Sequence, residues 1–203
     1  MRLFRPGFFA ACLYPEAIFR IKTTEKLLYL TFDDGPSPDS TPQILDILDL
    51  CNIKAVFFCD GRAAENYPDL IRQITSKGHI IGNHGYNHLN GWKTSTEKYI
   101  ADIEKAAAFT SDRLLRPPYG RLRFGQYRKL NKNYKIVFWD LMPYDFDASF
   151  GNEKSLQVLK NKIRPGSVIV LHDNTKSAAI TILKEFLDFV IDDGYRFEIP
   201  IRI

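Results

Sequence analysis

Short apolar runs alternate with longer amphipathic segments along nearly the whole of this 203-residue chain. Such alternation is typical of repeated strand-helix units that build a parallel sheet. The pattern predicts seven strands, at Leu27–Phe32, Ala55–Phe58, His79–Gly82, Leu114–Arg116, Lys135–Trp139, Ser167–Leu171 and Tyr195–Ile199. It predicts six intervening helices, at Ser40–Asn52, Asn66–Lys77, Ser95–Phe109, Phe124–Asn131, Glu153–Ile163 and Ala178–Asp192. We therefore expect one α/β domain whose sheet forms a closed or nearly closed barrel, with an open sheet as the alternative.

Charged residues of both signs are mixed along the chain. The 28 basic and 24 acidic residues leave a net charge of +4, and no run of Lys or Arg is long enough to follow a phosphate backbone. A nucleic-acid partner is therefore not indicated. The three cysteines form no Cys-x-x-Cys pair, so the sequence indicates neither a disulfide framework nor a cysteine zinc site.

The N-terminus carries Arg2 and Arg5 ahead of an apolar stretch, Gly7–Tyr14, that is too short to span a membrane. We predict that residues 1–26 form an arm packed on a domain at residues 27–203, with a weak signal peptide as the alternative. Without a clear cleavable leader, the expected compartment is the cytoplasm by default, and the cell envelope is the alternative. No transmembrane segment is expected, and a monomer is the default.

Residues with chemically active side chains collect directly after the apolar runs. In parallel barrels, catalytic groups lie at the carboxyl ends of the strands. Asp33 and Asp34 follow the first run, ahead of Gly35 and Pro36. Because adjacent side chains in a regular strand point to opposite faces, the two carboxylates can share a site only where the strand ends. There, one can bind a cation while the other accepts a proton. The alternative is a plain turn that caps the next helix.

His84 and His88 are four residues apart, a spacing that places both imidazoles on one side of a helical turn. The glycines around them indicate a tight loop or a single turn. Together with Asp34 they form a set of two histidines and one carboxylate, which leaves coordination positions open for water and substrate. Two solvent-facing loop histidines are the alternative. His79 lies inside a predicted strand, and we exclude it from the site.

Two further segments follow predicted strands. His172 precedes Asp173 and can act as a proton donor near neutral pH, or it can simply cap the loop. Arg116 opens the segment Arg-Pro-Pro-Tyr-Gly, in which the prolines lack amide donors, so the next free backbone N–H belongs to Tyr119. That amide can stabilise an oxyanion, and the guanidinium can hold a carboxylate such as Asp33 ionised. An ordinary Pro-Pro turn with a surface arginine is the alternative.

These segments, in this order, resemble the motifs of the polysaccharide deacetylases of the NodB-homology kind, also called carbohydrate esterase family four. The resemblance covers about residues 27–199 and implies a distorted (β/α)7 barrel. Thr31–Gly35 resembles the first motif, which implies that Asp33 is the catalytic base and Asp34 a metal ligand. The segment 84–88 resembles the second motif, which implies that its two histidines are the other ligands.

The third and fifth motifs are also matched. Arg116–Gly120 resembles the third motif, which implies that Arg116 orients the catalytic aspartate and that the amide of Tyr119 contacts the acetyl oxygen. Ile169–Asp173 resembles the fifth, which implies an apolar wall for the acetyl methyl group ahead of a catalytic His172. Four motifs in order at successive predicted strand ends are together far more specific than any one of them.

The sequence departs from the family pattern at three places. Gly85 stands where the second motif usually has Ser or Thr, and we expect a looser loop without that hydroxyl. The fourth motif usually reads Asp-Trp, and its nearest match is Asp145-Phe146, which keeps the aspartate that supports His172 but has a smaller aromatic side chain. Met142 stands where many members carry another aspartate. These changes bear on the sugar specificity.

The resemblance implies a metal-dependent hydrolase that removes N-acetyl groups from a sugar or polysaccharide of the N-acetylglucosamine type and releases acetate. Its partner is an acetylated glycan or oligosaccharide, and its cofactor a divalent metal, with Zn²⁺ the first choice and Co²⁺ or Ni²⁺ fitting the same ligand types. The expected substrate-binding residues are Tyr119, Pro118, Phe146, Val170 and Leu171. The alternatives are an O-acetyl esterase on a glycan, a non-catalytic sugar- or metal-binding domain, and hydrolysis of a small amide or cyclic imide.

Overall fold

Seven parallel strands form one sheet in the computed structural model, which describes residues 2–199. The strands are β1 (Leu27–Asp34), β2 (Val56–Cys59), β3 (Ile80–Asn83), β4 (Leu114–Leu115), β5 (Lys135–Ile136), β6 (Val168–His172) and β7 (Arg196–Phe197). Their order is β5-β4-β3-β2-β1-β6, and β7 pairs with the first two residues of β1. Each of the seven predicted strands overlaps one of these, so the predicted parallel α/β architecture is confirmed.

The two edges of the sheet approach each other without forming a continuous ladder. Leu141 makes an isolated parallel bridge to Ile169 of β6, and the N-terminal segment bridges both edges, with Ile18 beside Val137 and Arg20 beside Ser167. The prediction of a strand over Lys135–Trp139 is wrong beyond Ile136, because from Val137 onward the chain forms only an isolated bridge to Ile18 of the N-terminal segment. The result is a distorted (β/α)7 barrel, as the resemblance implied.

Eight α-helices occur within the described residues, two more than predicted. They are α1 (Phe8–Leu13), α2 (Thr41–Leu50), α3 (Gly61–Asn66), α4 (Pro68–Ser76), α5 (Thr96–Ala107), α6 (Phe124–Leu130), α7 (Asn152–Lys162) and α8 (Ala179–Asp192). The predicted helix Asn66–Lys77 is wrong at its start, because Pro68 disfavours a helical conformation at Tyr67, whose φ of −127° and ψ of 58° separate α3 from α4. Helices α1 and α3 were not predicted.

The helices cover the sheet through two main apolar clusters. The larger one packs β1, β2 and β6 against α2 and α8, and it includes Leu30, Phe32, Leu45 and Phe186. Full burial of each such side chain contributes roughly 1.5–3 kcal/mol. A second cluster packs α5 and α6 against β4 and β5. This packing fixes the register of the strands. Because the strands are parallel, their carboxyl ends all lie at the same end of the sheet.

The N-terminal segment is attached to the barrel at both of its ends. The amide of Met142 donates to the carbonyl of Phe4 at 3.0 Å, and the amide of Leu3 donates to the hydroxyl of Tyr144 at 3.1 Å. Farther along, the ring of Tyr14 stacks on Phe138 with 5.3 Å between centroids. Among residues 2–199, no helix has the length and apolar character needed to cross a membrane.

Candidate active site

The two aspartates at the end of β1 enter the same cavity. The strand runs two residues farther than predicted, through Asp34, whose φ of 78° is left-handed. Aspartate tolerates this conformation better than most residues do. Both Asp33 and Asp34 line a cavity of about 370 Å³ at the carboxyl ends of the strands. The two carboxylates thus lie in one cavity, and the backbone turn at Asp34 is the physical reason.

The strand register places the side chains that follow neighbouring strands together at the carboxyl ends of the strands. Asp33 lies beside His172 of β6, and Asp34 lies beside Cys59 of β2. Cys59 in turn lies beside Asn83, the residue before His84. Parallel pairing thus places the groups that follow β1, β3 and β6 around one cavity, which His84, His88 and His172 all line.

A tight loop and not a helical turn brings His84 and His88 together. Gly85 has a φ of 77° and His88 a φ of 53°, and neither residue is helical. The two imidazole rings nevertheless lie with their centroids 5.0 Å apart. The spacing of four residues therefore indicated two histidines that do lie together, although the loop and not a helical turn brings them there.

Asp34, His84 and His88 form a set of donors that fits a metal ion. One ligand atom from each lies within 4.8 Å of the others. The Oδ1 atom of Asp34 is 3.4 Å from Nε2 of His88 and 3.8 Å from Nε2 of His84. Nδ1 of His84 is 2.7 Å from the carbonyl oxygen of Arg116, an arrangement that leaves Nε2 free, as is usual for metal-binding histidines.

Asn174, which the sequence analysis did not assign to the site, holds the second oxygen of the Asp34 carboxylate. Nδ2 of Asn174 donates to Oδ2 of Asp34 at 2.8 Å, so Oδ1 faces the imidazoles. Asn174 lies two residues after His172, in the loop that follows β6. Polar partners of this kind orient metal ligands in proteins.

Electrostatics favour the ligand-competent protonation states of this set. Burial lowers the pKa of His84 to about 4, which keeps the imidazole neutral at pH 7. Burial alone would raise the pKa of Asp34, but the hydrogen bond from His88 and the charges of the three nearby histidines outweigh it and lower that pKa. A deprotonated carboxylate and a neutral imidazole are the forms that bind metals.

Asp102 of α5 anchors the histidine loop. Its Oδ2 atom accepts the amides of Tyr86 at 2.9 Å and Asn87 at 3.1 Å, and its Oδ1 atom accepts the side chain of Asn87 at 2.6 Å. The amide of Gly85 donates to Oδ1 of Asn83 at 2.8 Å. These contacts fix the loop without the hydroxyl that Gly85 lacks. The sequence signal that could have identified Asp102 is its position as an acidic residue on the apolar face of α5.

Arg116 is fully buried and directly contacts Asp33. Its Nη1 atom donates to Oδ1 of Asp33 at 2.6 Å and to Oγ1 of Thr31 at 2.7 Å. Its remaining donors reach the carbonyls of Val137 at 3.2 Å and Phe138 at 2.9 Å. The predicted contact between the guanidinium and Asp33 is therefore present. Because each of its three nitrogen atoms makes a hydrogen bond, the guanidinium is held in place and can fix the position of the carboxylate.

Asp145 holds His172 at two points. Its Oδ2 atom accepts the backbone amide of His172 at 2.7 Å, and its Oδ1 atom lies 2.9 Å from Nδ1. Burial disfavours the charged imidazole, but the carboxylate of Asp145, together with the charges of Asp34 and Asp33, outweighs burial and raises the pKa of His172 to about 9. The hydroxyl of Ser177 donates to Oδ2 at 2.6 Å. The ring of Phe146 packs edge-on against His172, with centroids 4.7 Å apart.

The turn after β4 places Tyr119 at the cavity rim. Tyr119 has a φ of 60°, its side chain is 57% exposed, and its ring lies 4.4 Å from that of His88. The amides of Gly120 and Arg121 donate the backbone hydrogen bonds of the turn. A Cβ atom at Gly120 would lie 2.4 Å from the ring of Trp139, so only glycine fits there. Trp139 also lines the cavity, although the sequence analysis did not assign it to the site.

Two expected substrate-binding residues lie elsewhere. Leu171 packs in the main apolar cluster, whereas Val170 lines the cavity, because successive side chains of β6 point to opposite faces. Pro118 is buried in the turn after β4. Neither Leu171 nor Pro118 is among the residues that line the cavity.

Comparisons with known proteins agree with this geometry. The family described as "Polysaccharide deacetylase" matches residues 20–137. A peptidoglycan-N-acetylglucosamine deacetylase of Bacillus cereus is 38% identical over 150 residues, which are 70% of this chain and 54% of that protein. A chitooligosaccharide deacetylase of Azorhizobium caulinodans is 35% identical over 162 residues, which are 76% of this chain and 77% of that protein.

Structural similarity covers nearly the whole chain. The crystal structure of the Bc1960 peptidoglycan N-acetylglucosamine deacetylase, bound to an N-hydroxybenzamide compound, superimposes with a TM-score of 0.88 at 29% identity. The match covers 96% of this chain and 95% of the other. With the family match over more than half of the sequence, these similarities show that the chain belongs to the polysaccharide deacetylase family, carbohydrate esterase family four.

Proposed function

We propose that this protein is a metal-dependent hydrolase that removes the N-acetyl group from a sugar of the N-acetylglucosamine type and releases acetate. The observation that carries the proposal is the different environment of two adjacent carboxylates. Asp34 faces the imidazole nitrogens of both His84 and His88, whereas Asp33 faces only that of His84 and is held by the buried guanidinium of Arg116. One carboxylate is thus placed to bind a metal ion and the other to accept a proton.

The donor set of Asp34, His84 and His88 fits Zn²⁺, because two imidazoles and one carboxylate make a catalytic zinc site with open positions. Co²⁺ and Ni²⁺ accept the same ligand types. A divalent ion bound there supplies a Lewis acid that polarises the acetyl carbonyl and acidifies a nearby water.

The side chains of the protein account for the proton transfers. Asp33, fixed by Arg116, accepts a proton from the attacking water. The amide of Tyr119, which the hydrogen bonds of its own turn do not engage, donates to the oxyanion that develops on the acetyl carbonyl. His172, oriented by Asp145 and protonated at neutral pH, gives its proton to the leaving amine. Breakage of the C–N bond then yields a free amino sugar and acetate.

Part of the cavity lining is apolar and suits the acetyl methyl group. Val170 and Met142 line it together with the rings of Trp139 and Phe146. Met142, which stands where many members of the family carry an aspartate, contributes apolar surface to this lining. The apolar lining favours the small methyl of an acetyl group over a charged or hydroxylated substituent.

The named activities of the relatives define the substrate panel that tests this proposal. Zinc-loaded protein is expected to release acetate from N-acetylglucosamine oligomers or from peptidoglycan, measured with a coupled acetate assay. The matched control is acetylated xylan, which carries O-acetyl and no N-acetyl groups. Release from xylan alone would replace the proposal with an O-acetyl esterase, and sugar binding without any acetate release would indicate a non-catalytic domain.

The role of His172 is tested by comparing leaving groups. We expect His172→Ala to reduce kcat for an N-acetylated oligosaccharide by roughly 10²–10⁴-fold, because an amine must be protonated as it leaves. An activated ester, such as 4-methylumbelliferyl acetate, has a leaving group that departs without a proton. Its hydrolysis should fall by much less, on the order of tenfold or below. Equal losses on both substrates would contradict the role of His172 as the proton donor.

A further inference from the structure

We propose that the flank of the barrel formed by α6 and α1 is a surface that binds an anionic phospholipid bilayer. This flank is called the α6 face, and it is defined by six exposed residues: Arg123, Phe124, Arg128, Lys129, Lys132 and Leu13. The proposal concerns a binding partner of the protein and goes beyond the proposed deacetylation, on which it does not depend.

Positive charge is concentrated in the segment that contains α6. Charges of both signs are mixed along most of the chain, but positions 113 to 139 hold eight basic residues and no acidic one. The net charge of the whole chain is only +4. Within residues 2–199, the only one of these eight with an ion-pair partner is the buried Arg116. The charges of the others are therefore available to an anionic surface.

The fold brings these charges to one side of α6. Three buried residues turn the other side of the helix toward the barrel, whereas Arg128 and Lys129 are exposed. Phe124 is 54% exposed and lies one turn before Arg128, on the same side of the helix. Lys132 and Lys135 are exposed as well and continue the basic surface past the end of α6. An exposed aromatic side chain is thus flanked by cationic ones.

The α6 face lies on a flank of the barrel and not at the mouth of the catalytic cavity. Helix α6 begins after the turn that follows β4, at the carboxyl ends of the strands, and it leads into β5, which starts at their amino ends. The helix therefore runs antiparallel to the strands along the outside of the sheet. Neither Phe124 nor Arg128 lines the catalytic cavity. A bilayer against this flank would leave the cavity open to substrate.

An apolar helix lies beside this basic one. All six residues of α1 are apolar, yet Ala11, Cys12 and Leu13 are exposed, Leu13 by 55%. The rings of Tyr14 and Tyr127 lie 5.0 Å apart and connect the end of α1 to α6. A helix that is apolar on every side is normally covered. The exposed side of α1 therefore adds apolar surface to the α6 face.

Charge and apolar surface together select the partner. A soluble anionic polymer is attracted by basic side chains, but it gains nothing from Leu13 and Phe124. The surface of an anionic bilayer presents phosphate groups to Arg and Lys and, just below them, an acyl boundary to apolar side chains. A surface that combines basic residues with exposed apolar ones matches that arrangement.

The first test measures co-sedimentation with vesicles. The wild-type protein is expected to bind vesicles of phosphatidylglycerol and phosphatidylcholine in equal parts, but not vesicles of phosphatidylcholine alone. Each basic residue near an anionic bilayer contributes a factor of about five to the binding constant. The combined variant Arg128→Gln, Lys129→Gln and Lys132→Gln should therefore bind roughly 10²-fold more weakly. Salt at about 1 M should have a similar effect on the wild type.

The matched control removes the same charge from other helices. It combines Arg72→Gln, Lys154→Gln and Lys184→Gln, which lie exposed on α4, α7 and α8. This variant should bind the mixed vesicles like the wild type. An equal loss in both triple variants would overturn the α6 face, because the binding would then follow net charge alone. A wild-type protein that binds no mixed vesicles would overturn the proposal as well.

A second variant distinguishes a bilayer from a soluble polymer. The double variant Leu13→Ser and Phe124→Ser should bind the mixed vesicles roughly tenfold more weakly and bind inorganic polyphosphate like the wild type. Unchanged vesicle binding by this variant would overturn the bilayer as the partner. Acetate release from a soluble N-acetylglucosamine oligomer should be the same in all these variants and the wild type. Failure of the proposed function and failure of the α6 face therefore appear in separate assays.

Discussion

Asp34→Ala is expected to reduce acetate release to the uncatalysed background and to abolish stoichiometric binding of zinc. Asp34 is the carboxylate whose oxygen faces both histidines, at 3.4 Å and 3.8 Å. Without it, the metal keeps only two imidazole ligands, and the Lewis acid that the reaction needs is no longer held. Exhaustive treatment of the wild-type protein with a chelator should have the same effect on activity.

The measurement combines metal analysis with the acetate assay. Asp39→Ala is the matched control, since Asp39 is an exposed carboxylate five residues away that does not line the cavity. It should bind zinc and turn over substrate like the wild type. Restoration of the chelated protein with Zn²⁺, Co²⁺ and Ni²⁺ in turn identifies the metals that support activity. Full activity in metal-free protein would contradict metal dependence altogether.

The sequence predicted which side chains share a cavity better than it predicted the helices and strands around them. Asp33, Asp34, His84, His88, and His172 all line the same cavity, because the carboxyl ends of parallel strands meet at one edge of the sheet. That rule needs only the order of strands and loops. It does not need the details of the backbone, which is why the histidine pair was found although no helical turn carries it.

Details that depend on three-dimensional packing were beyond the sequence. Asp102 and Asn174 act from other elements, 15 or more positions from the groups that they hold. Trp139 enters the cavity because Gly120 allows the close approach of its ring. Leu171 was assigned to the wall because the motif does not state which face of β6 each residue takes, and a shift of one residue reverses that face.

At the break between α3 and α4, the prediction followed the apolar periodicity, whereas the structure follows the local effect of a proline. Apolar periodicity favoured one helix over residues 66–77, whereas Pro68 ends helical geometry at the residue before it. Strand β5 is shorter than predicted for another reason. The apolar run is long enough for a longer strand, but its later residues pair with the N-terminal segment. Pairing with Ile18 cannot be read from the run itself, because the partner lies far away in the sequence.

Asp33→Asn is expected to lower kcat on an N-acetylated oligosaccharide by roughly 10²–10⁴-fold while leaving the zinc content unchanged. The amide oxygen of asparagine can still accept the hydrogen bond that Nη1 of Arg116 donates at 2.6 Å, so the geometry is retained. What the variant loses is the ability to accept a proton from water. Stopped assays for kcat, together with metal analysis, measure the two effects separately.

The free energy of unfolding shows whether an Asp33 variant has lost only the catalytic base or has also damaged the structure of the site. Arg116 is fully buried, so Asp33→Ala leaves its charge without a counterion, a change that costs about 3–5 kcal/mol for buried pairs. Asp33→Asn keeps one hydrogen bond and should lose less in urea unfolding. A folded, zinc-loaded Asp33→Asn with wild-type kcat would contradict the assignment of the base. The proposed outcome instead separates the adjacent carboxylates by function, since Asp34→Ala loses the metal and Asp33→Asn loses only the proton transfer.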